Sequence, residues 1–180
     1  MNILIVFATR EGQTQKIAEF IAEIVRHSGH QATTLACGSM TKDFNPEVYD
    51  AVIIGAPIHM GKYPGYLEKF VTTHLDWINR IPSALFTVCM AIESKNEKDR
   101  SIATAYGQKF SQITHWQPKL LETFAGAVKY TQYGFITRII MRSIAKKEGR
   151  DTDTSQDFEY TDWNKVTEFA EKFLASAETS

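Results

Sequence analysis

NILIVFATREGQTQKIAEFIAEIV, residues Asn2 to Val25, decides the fold. Asn2 to Phe7 is an apolar run with no polar alternation, which reads as a strand buried on both faces. It stops abruptly at Thr9-Arg10-Glu11-Gly12-Gln13-Thr14. From Gln13 to Arg26 the apolar residues Ile17, Phe20, Ile21, Ile24 and Val25 recur at helical spacing. A strand that enters a helix through a hydroxyl-and-glycine loop aims backbone N–H groups at the positive end of the helix dipole. That is an anion site, most simply a phosphate site. Gly12 lets the backbone close on the anion, Thr9 and Thr14 can donate to it, and Arg10 is compatible with a solvated side chain. A Walker loop needs GxxxxGK followed by Ser or Thr, and a dinucleotide loop needs GxGxxG; neither is present. A single terminal phosphate therefore fits better than a triphosphate. Taken alone, the loop is also compatible with a helix N-cap that binds nothing.

The rest of the chain alternates in the same way. Gln31–Ala36 reads as a short edge strand, and Ala51–Gly55 as a central one. Pro64–His74 suits a helix with Pro64 in its first turn. Ala84–Ala91 predicts a fourth strand and Asp99–Gln112 a helix. Phe124–Val128, preceded by Leu120-Leu121, predicts a fifth strand. Trp163–Ala175 predicts a last helix, with Val166, Phe169, Ala170, Phe173 and Leu174 on one side and Thr161 or Asp162 as its cap. Alternating strands and helices imply α/β architecture with a parallel sheet covered on both faces. Five strands match the flavodoxin-like doubly wound order 2-1-3-4-5, here as a single domain over 1–180. In that arrangement a ligand lies beyond the carboxyl ends of strands 1 and 3.

Three loops would build that site: Thr9–Thr14, Ala56–Tyr63, and the segment after strand 4. Ala56-Pro57-Ile58-His59-Met60-Gly61-Lys62-Tyr63 could hold a planar ring, with Gly61 turning its peptide toward a ring nitrogen. Tyr63 reads equally as a stacking partner or as packing beneath the Pro64 helix. His59 reads as a loop residue, because no second His, Cys or Asp cluster joins it as a metal site would need. No Ser-His-Asp or paired-carboxylate constellation is visible, so no catalytic side chain is assigned and no metal is expected.

With 180 residues, 43% hydrophobic and 23% charged, the chain has the make-up of an ordinary globular domain. Its net charge of -1 argues against a nucleic-acid binder and against a strongly acidic carrier. Cys37 and Cys89 read as two buried thiols of a reducing compartment. The start lacks a signal-peptide layout, and no apolar run approaches the ~20 residues of a membrane span. The near-zero charge hides opposed patches. Residues 129–150 carry six cations against Glu148, whereas residues 151–180 carry eight acids against Lys165 and Lys172. The basic part lies in an insertion, about 129–152, which a minimal fold of this kind lacks. On a helix Arg138, Arg142 and Lys146 would form one stripe, joined by Lys147. Phe135, Ile136, Ile139, Ile140 and Ile144 would gather on the other side, with Met141 at its edge. Such a helix either lies in an anionic membrane surface or packs its apolar face on the sheet edge with its cations solvated.

LIVFATREGQTQKIA, VIIGAPIHMGKY, FAGAVKYTQYGF and DTDTSQDFEYTDWNKV together resemble the menaquinone-dependent protoporphyrinogen IX dehydrogenase family of bacterial haem synthesis. The resemblance runs from end to end. It implies FMN as cofactor, with the phosphate in Thr9, Arg10, Glu11, Gly12, Gln13 and Thr14. The ring would lie between the loop starting at Ala56 and the segment Val88-Cys89-Met90-Ala91, with Gly126 and Tyr130 helping to enclose it. Where the family often has an aromatic residue, this chain has Met60. The activity implied is oxidation of protoporphyrinogen IX to protoporphyrin IX with electrons passed to menaquinone or another quinone. Arg138, Arg142, Lys146 and Lys147 would then meet the membrane or the substrate propionates. The implied location is peripheral, on the cytoplasmic face of the bacterial inner membrane, and a homo-oligomer is compatible with it. The alternatives are a flavodoxin-type electron carrier and a soluble NAD(P)H:quinone reductase.

Overall fold

A computed structural model describes residues 1–39 and 44–179. Its centre is a five-stranded sheet of order β2-β1-β3-β4-β5, built from β1 (Asn2–Phe7), β2 (Gln31–Ala36), β3 (Ala51–Pro57), β4 (Ser83–Val88) and β5 (Leu120–Phe124). Every neighbouring pair is parallel. Successive residues of β1 point to opposite faces, so the strand feeds two cores. Ile3, Ile5 and Phe7 pack with Ile17, Ile21 and Val25 of α1 (Gln13–His27) and with Val166, Phe169 and Phe173 of α6 (Trp163–Glu178). Leu4 and Val6 pack on the other face with Leu67 and Phe70 of α2 (Gly65–Thr73), Trp77 of α3 (Leu75–Arg80) and Phe110 of α4 (Glu97–Thr114). Both β1 faces are therefore buried, as its unbroken apolar run predicts.

Capping follows the local chemistry. The Asp162 carboxylate accepts from the N–H groups of Asn164 and Lys165 at the start of α6, and the Asn96 side chain does the same for Lys98 in α4. Pro64 precedes α2 as its cap and not within its first turn. The helix expected over 64–74 is α2, which ends at His74; α3, a second short helix that the sequence reading did not include, follows it, and the His74 ring sits between Phe70 and Trp77. Cys37 and Cys89 are buried free thiols.

Three strand boundaries differ from the sequence expectation. β3 continues through Pro57, which pairs with Val88, so Ala56 and Pro57 belong to the buried sheet and the loop proper begins at Ile58. β4 stops at Val88, and Met90–Glu93 turns into a 3-10 helix. The fifth strand ends at Phe124, because the chain must then pass close under β4: a Cβ on Gly126 would stand 2.8 Å from Val88 Cγ1. Beyond it, β6 (Ala127–Val128) pairs antiparallel with β7 (Phe158–Glu159), closing the base of the insertion that carries α5 (Phe135–Glu148).

Gly55, opposite Phe86 in the register, leaves the space the Phe86 ring occupies; a Cβ there would fall inside that ring. Gly55→Ala should destabilise the fold by about 3 kcal/mol, the scale of overpacking a dense core. Urea unfolding measures it; a loss below about 1 kcal/mol would mean the Phe86 site yields more readily than its packing with Phe124 and Phe169 implies.

Candidate functional site

The first wall of the site is the β1–α1 loop. Gly12 takes φ +87° immediately before α1, a conformation that a side chain resists. Its N–H donates to Thr9 Oγ1 at 3.0 Å. The first α-helical bond then closes from Lys16 N–H to the Gly12 carbonyl at 3.0 Å. No side chain caps this helix, and its first turn holds no acidic residue. The N–H groups of Gln13, Thr14 and Gln15 thus have no acceptor among the described residues, and the dipole end is uncompensated. The Thr14 hydroxyl likewise has no hydrogen-bond partner among the described residues, although the residue is only 2% exposed. Gln13 is committed elsewhere. Its amide donates to Thr161 Oγ1 at 2.9 Å, which in turn donates to the Ala125 carbonyl. Arg10 is exposed, and Glu11 is half-buried.

The second wall is a tight hairpin. Ile58 N–H donates to the Val88 carbonyl at 2.9 Å, stitching the two loops together. His59 and Lys62 exchange both backbone hydrogen bonds at 3.0 Å across Met60 (φ +49°) and Gly61 (φ +76°). Positive φ at both central residues is the type I′ geometry. Met60 is completely exposed at its tip, and Lys62 is exposed beside it. His59 is half-buried; burial holds its pKa below the usual imidazole range, with Glu11 pulling it up and Arg10 pushing it down. Those two charges set the hairpin against the first wall. Tyr63 resolves to packing: its ring lies 4.5 Å from that of Phe110, and its hydroxyl bonds Thr87 Oγ1 at 2.6 Å. Burial raises its pKa strongly.

The third wall follows β4. Val88 and Cys89 do not offer their side chains to the site. Both are buried, Val88 beneath Gly126, while Cys89 N–H donates to the Phe124 carbonyl. Met90 and Ala91, half-buried, form the open part of this wall. Tyr130 is also withdrawn. It is fully buried with Val128 and Ala145, and its hydroxyl donates to the Asp151 carbonyl at 3.1 Å, so it supports the insertion from inside.

The insertion bridges the first and third walls. Near its start the Tyr133 hydroxyl donates to Glu11 Oε2 at 3.0 Å. At its end Ser94 Oγ donates to Glu148 Oε2 at 2.9 Å, and Arg150 donates to the Met90 carbonyl at 3.0 Å. Between these anchors runs α5, ended by Gly149 in the left-handed conformation. Arg138 is not part of an outward basic stripe. Although residues four apart share a helix face, the Arg138 side chain at the start of α5 turns inward to donate to the carbonyls of Tyr130 and Tyr133, both at 3.1 Å. Arg142, Lys146 and Lys147 remain exposed. The apolar face is not packed on the sheet: Phe135, Ile136, Ile139, Ile140 and Ile144 are each between 47% and 78% exposed. The contacts of Tyr133, Ser94, Glu148, Arg150 and Thr161 at this site were not part of the sequence reading, in which Thr161 figured only as a candidate helix cap. Their partners lie tens to more than a hundred residues away, and no local pattern marks them.

Residues 4–155 match the flavodoxin domain family. The chain is 36% identical over 170 residues to the protoporphyrinogen IX dehydrogenase (quinone) of Escherichia coli strain K12, covering 94% of this chain and 93% of that one. It is 32% identical over 176 residues to the protein of the same name from Leishmania major, covering 96% and 74%. Oxidised flavodoxin 1 from Bacillus cereus superposes with a TM-score of 0.58 at 17% identity, covering 97% and 98% of the two chains. A flavodoxin from Streptococcus pneumoniae TIGR4 gives 0.57 at 15%, covering 98% and 99%. These structural likenesses establish the fold.

Met60 pays a strain cost for its left-handed backbone that Asn would largely avoid. Met60→Asn should stabilise the protein by about 0.5–1 kcal/mol, read as a rise in thermal midpoint; a lower midpoint would show that the exposed Met side chain contributes contacts of its own.

Proposed function

The chain belongs to the flavodoxin domain family, in its protoporphyrinogen IX dehydrogenase branch, and from that premise we propose that it oxidises protoporphyrinogen IX to protoporphyrin IX with FMN as cofactor and a membrane quinone, menaquinone in particular, as acceptor. The observation that carries the reading is the bare start of α1. Three unpaired N–H groups and the free Thr14 hydroxyl converge where the dipole is positive, which suits the terminal phosphate of a mononucleotide.

When bound, FMN would supply the two-electron redox chemistry that side chains lack. The chain's own residues bind, orient and exclude water. Thr9 holds the Gly12 peptide in place, and Gly12 permits the close turn. The Ile58–Tyr63 hairpin and the Met90-Ala91 segment would flank the ring, held at a fixed separation by the Ile58–Val88 hydrogen bond. Tyr63 supports this wall from behind through Thr87 and Phe110. Converting the porphyrinogen to the aromatic porphyrin removes electron pairs and protons in successive rounds. His59 stands half-buried in the hairpin, and burial holds its pKa below the usual imidazole range.

The insertion supports a peripheral location at an anionic membrane surface. No helix among the described residues is long and apolar enough to cross a membrane. α5 instead exposes five large apolar side chains together with Arg142, Lys146 and Lys147, the composition of an interfacial helix. An acceptor dissolved in lipid and a helix seated on lipid would bring reductant and oxidant to one place. A one-electron carrier has no need of such a face.

Anaerobic addition of protoporphyrinogen IX and a menaquinone analogue to the FMN-loaded protein should produce porphyrin fluorescence well above the uncatalysed rate. No enhancement, together with rapid flavin bleaching by NADPH, would favour a soluble quinone reductase. Gly12→Val, forcing a β-branched residue into positive φ, should raise the FMN dissociation constant at least ~10-fold, followed by flavin fluorescence quenching. Replacing Arg142, Lys146 and Lys147 together with Gln should lower partition onto anionic liposomes at least ~10-fold, since each basic residue near such a surface contributes about 1 kcal/mol. Equal sedimentation of the triple variant would remove the interfacial role.

A further inference from the structure

Glu11 poses a problem that the phosphate reading creates. Its carboxylate belongs to the very loop that would receive a phosphate, one residue before the Gly12 turn. A carboxylate free to swing toward a dianionic phosphate would repel it at close range. The structure shows where that carboxylate is kept instead: Glu11 Oε2 accepts from the Tyr133 hydroxyl at 3.0 Å, across a separation of 122 residues.

The hydroxyl is itself oriented. Tyr133 Oη accepts from the Lys129 backbone N–H at 3.2 Å, which leaves its own proton for Glu11. The Tyr133 carbonyl is in turn fixed by the Arg138 guanidinium, and the Tyr133 ring packs edge-on against buried Tyr130 at 6.2 Å between centroids. Burial pushes the Tyr133 pKa up to about 12, so the donor stays protonated throughout the physiological range. The other charged or titratable groups that act on this corner are His59, whose imidazole feels both Glu11 and Arg10, and Asp157, which acts on Tyr133.

We propose that Tyr133 is a positioning residue for cofactor binding: it draws the Glu11 carboxylate out of the anion cradle and onto the insertion, so that a docked insertion and a receptive phosphate loop are one state. This rests on the mononucleotide reading above and goes beyond it, because it assigns a role to a residue of the insertion that meets the cradle loop through the Glu11 carboxylate. It also gives the insertion a task at the cofactor end of the molecule, separate from its outward face. The coupling is reciprocal: FMN in the cradle favours the docked insertion as much as docking favours FMN.

The test is a cycle of FMN dissociation constants for the full-length apoprotein, measured by flavin fluorescence quenching at low ionic strength. Tyr133→Phe, which keeps the ring and its packing, should weaken FMN binding about 5–10-fold. Glu11→Gln, which removes the charge, should tighten it about 2–3-fold. The double variant should match Glu11→Gln, because without the carboxylate there is nothing for the hydroxyl to hold away. The deficit of Tyr133→Phe relative to wild type should also shrink toward unity near 1 M salt, where the screening length falls to ~3 Å. A merely structural tyrosine would show the same loss with or without Glu11, and no such salt dependence; either result overturns the proposal. Weaker binding by Glu11→Gln alone would make the carboxylate a contact that FMN needs, and would also overturn it. Wild-type binding by Tyr133→Phe sinks the positioning role while leaving the flavin reading intact. A wild-type chain that binds no FMN removes the reading itself, and with it the proposal.

Discussion

The bare amino end of α1 is the feature on which the site depends. A side chain at the start of a helix can satisfy one of its free N–H groups; α4 and α6 here do so through Asn96 and Asp162, whereas α1, like α2, α3 and α5, has no side-chain cap. α1 begins with a glycine in the left-handed conformation and has neither cap nor acid in its first turn. Left this way, the N–H groups cost stability in the absence of a partner, and they are held in position by a fully packed part of the core. β1 behind them is buried on both faces, and α1 packs on it through Ile17, Ile21 and Val25. Unpaired donors on a rigid base attract an anion with little reorganisation.

The other walls are arranged around that point by backbone hydrogen bonds more than by side chains. The Ile58–Val88 bond joins the hairpin to the end of β4, and the Cys89–Phe124 bond joins β4 to β5. Side chains expected at the site are in several cases its supports: Tyr63 braces the hairpin, Tyr130 fills the inside of the insertion, and Val88 is covered by Gly126. What remains open to a ligand is mostly backbone, Thr14, His59, and the Met90-Ala91 edge. Such a surface suits a cofactor that brings its own chemistry and asks the protein for placement.

The insertion changes what this fold can do. It is anchored at one end to Glu11 and at the other to Ser94 and Met90, so it spans the site as a strap while turning its apolar residues outward. Burying those residues against the sheet would have been the ordinary solution for an amphipathic helix. Their exposure, beside three cations, is the difference between this chain and a minimal carrier of the same topology.

The alternation of strands and helices, the glycine turn before α1 and the amphipathic character of α5 were all legible in the residues, because each depends on local periodicity or on a turn that only certain residues can make. Asn2–Phe7 could be read as a doubly buried strand since no polar residue interrupts it, and Gly12 since a helix entered through glycine leaves its donors free. Strand ends were less legible: whether β3 stops at Gly55 or Pro57 depends on pairing with Val88, and the break at Phe124 on the room left beneath β4. Periodicity also placed Arg138 on a stripe with Arg142 and Lys146, but only the folded chain decided that its guanidinium turns inward to two backbone carbonyls. The pairing of Tyr133 with Glu11 likewise belongs to tertiary structure alone. Hydrogen bonds between residues so far apart carry no periodic signature, and it is the packing of the insertion that brings those atoms within reach.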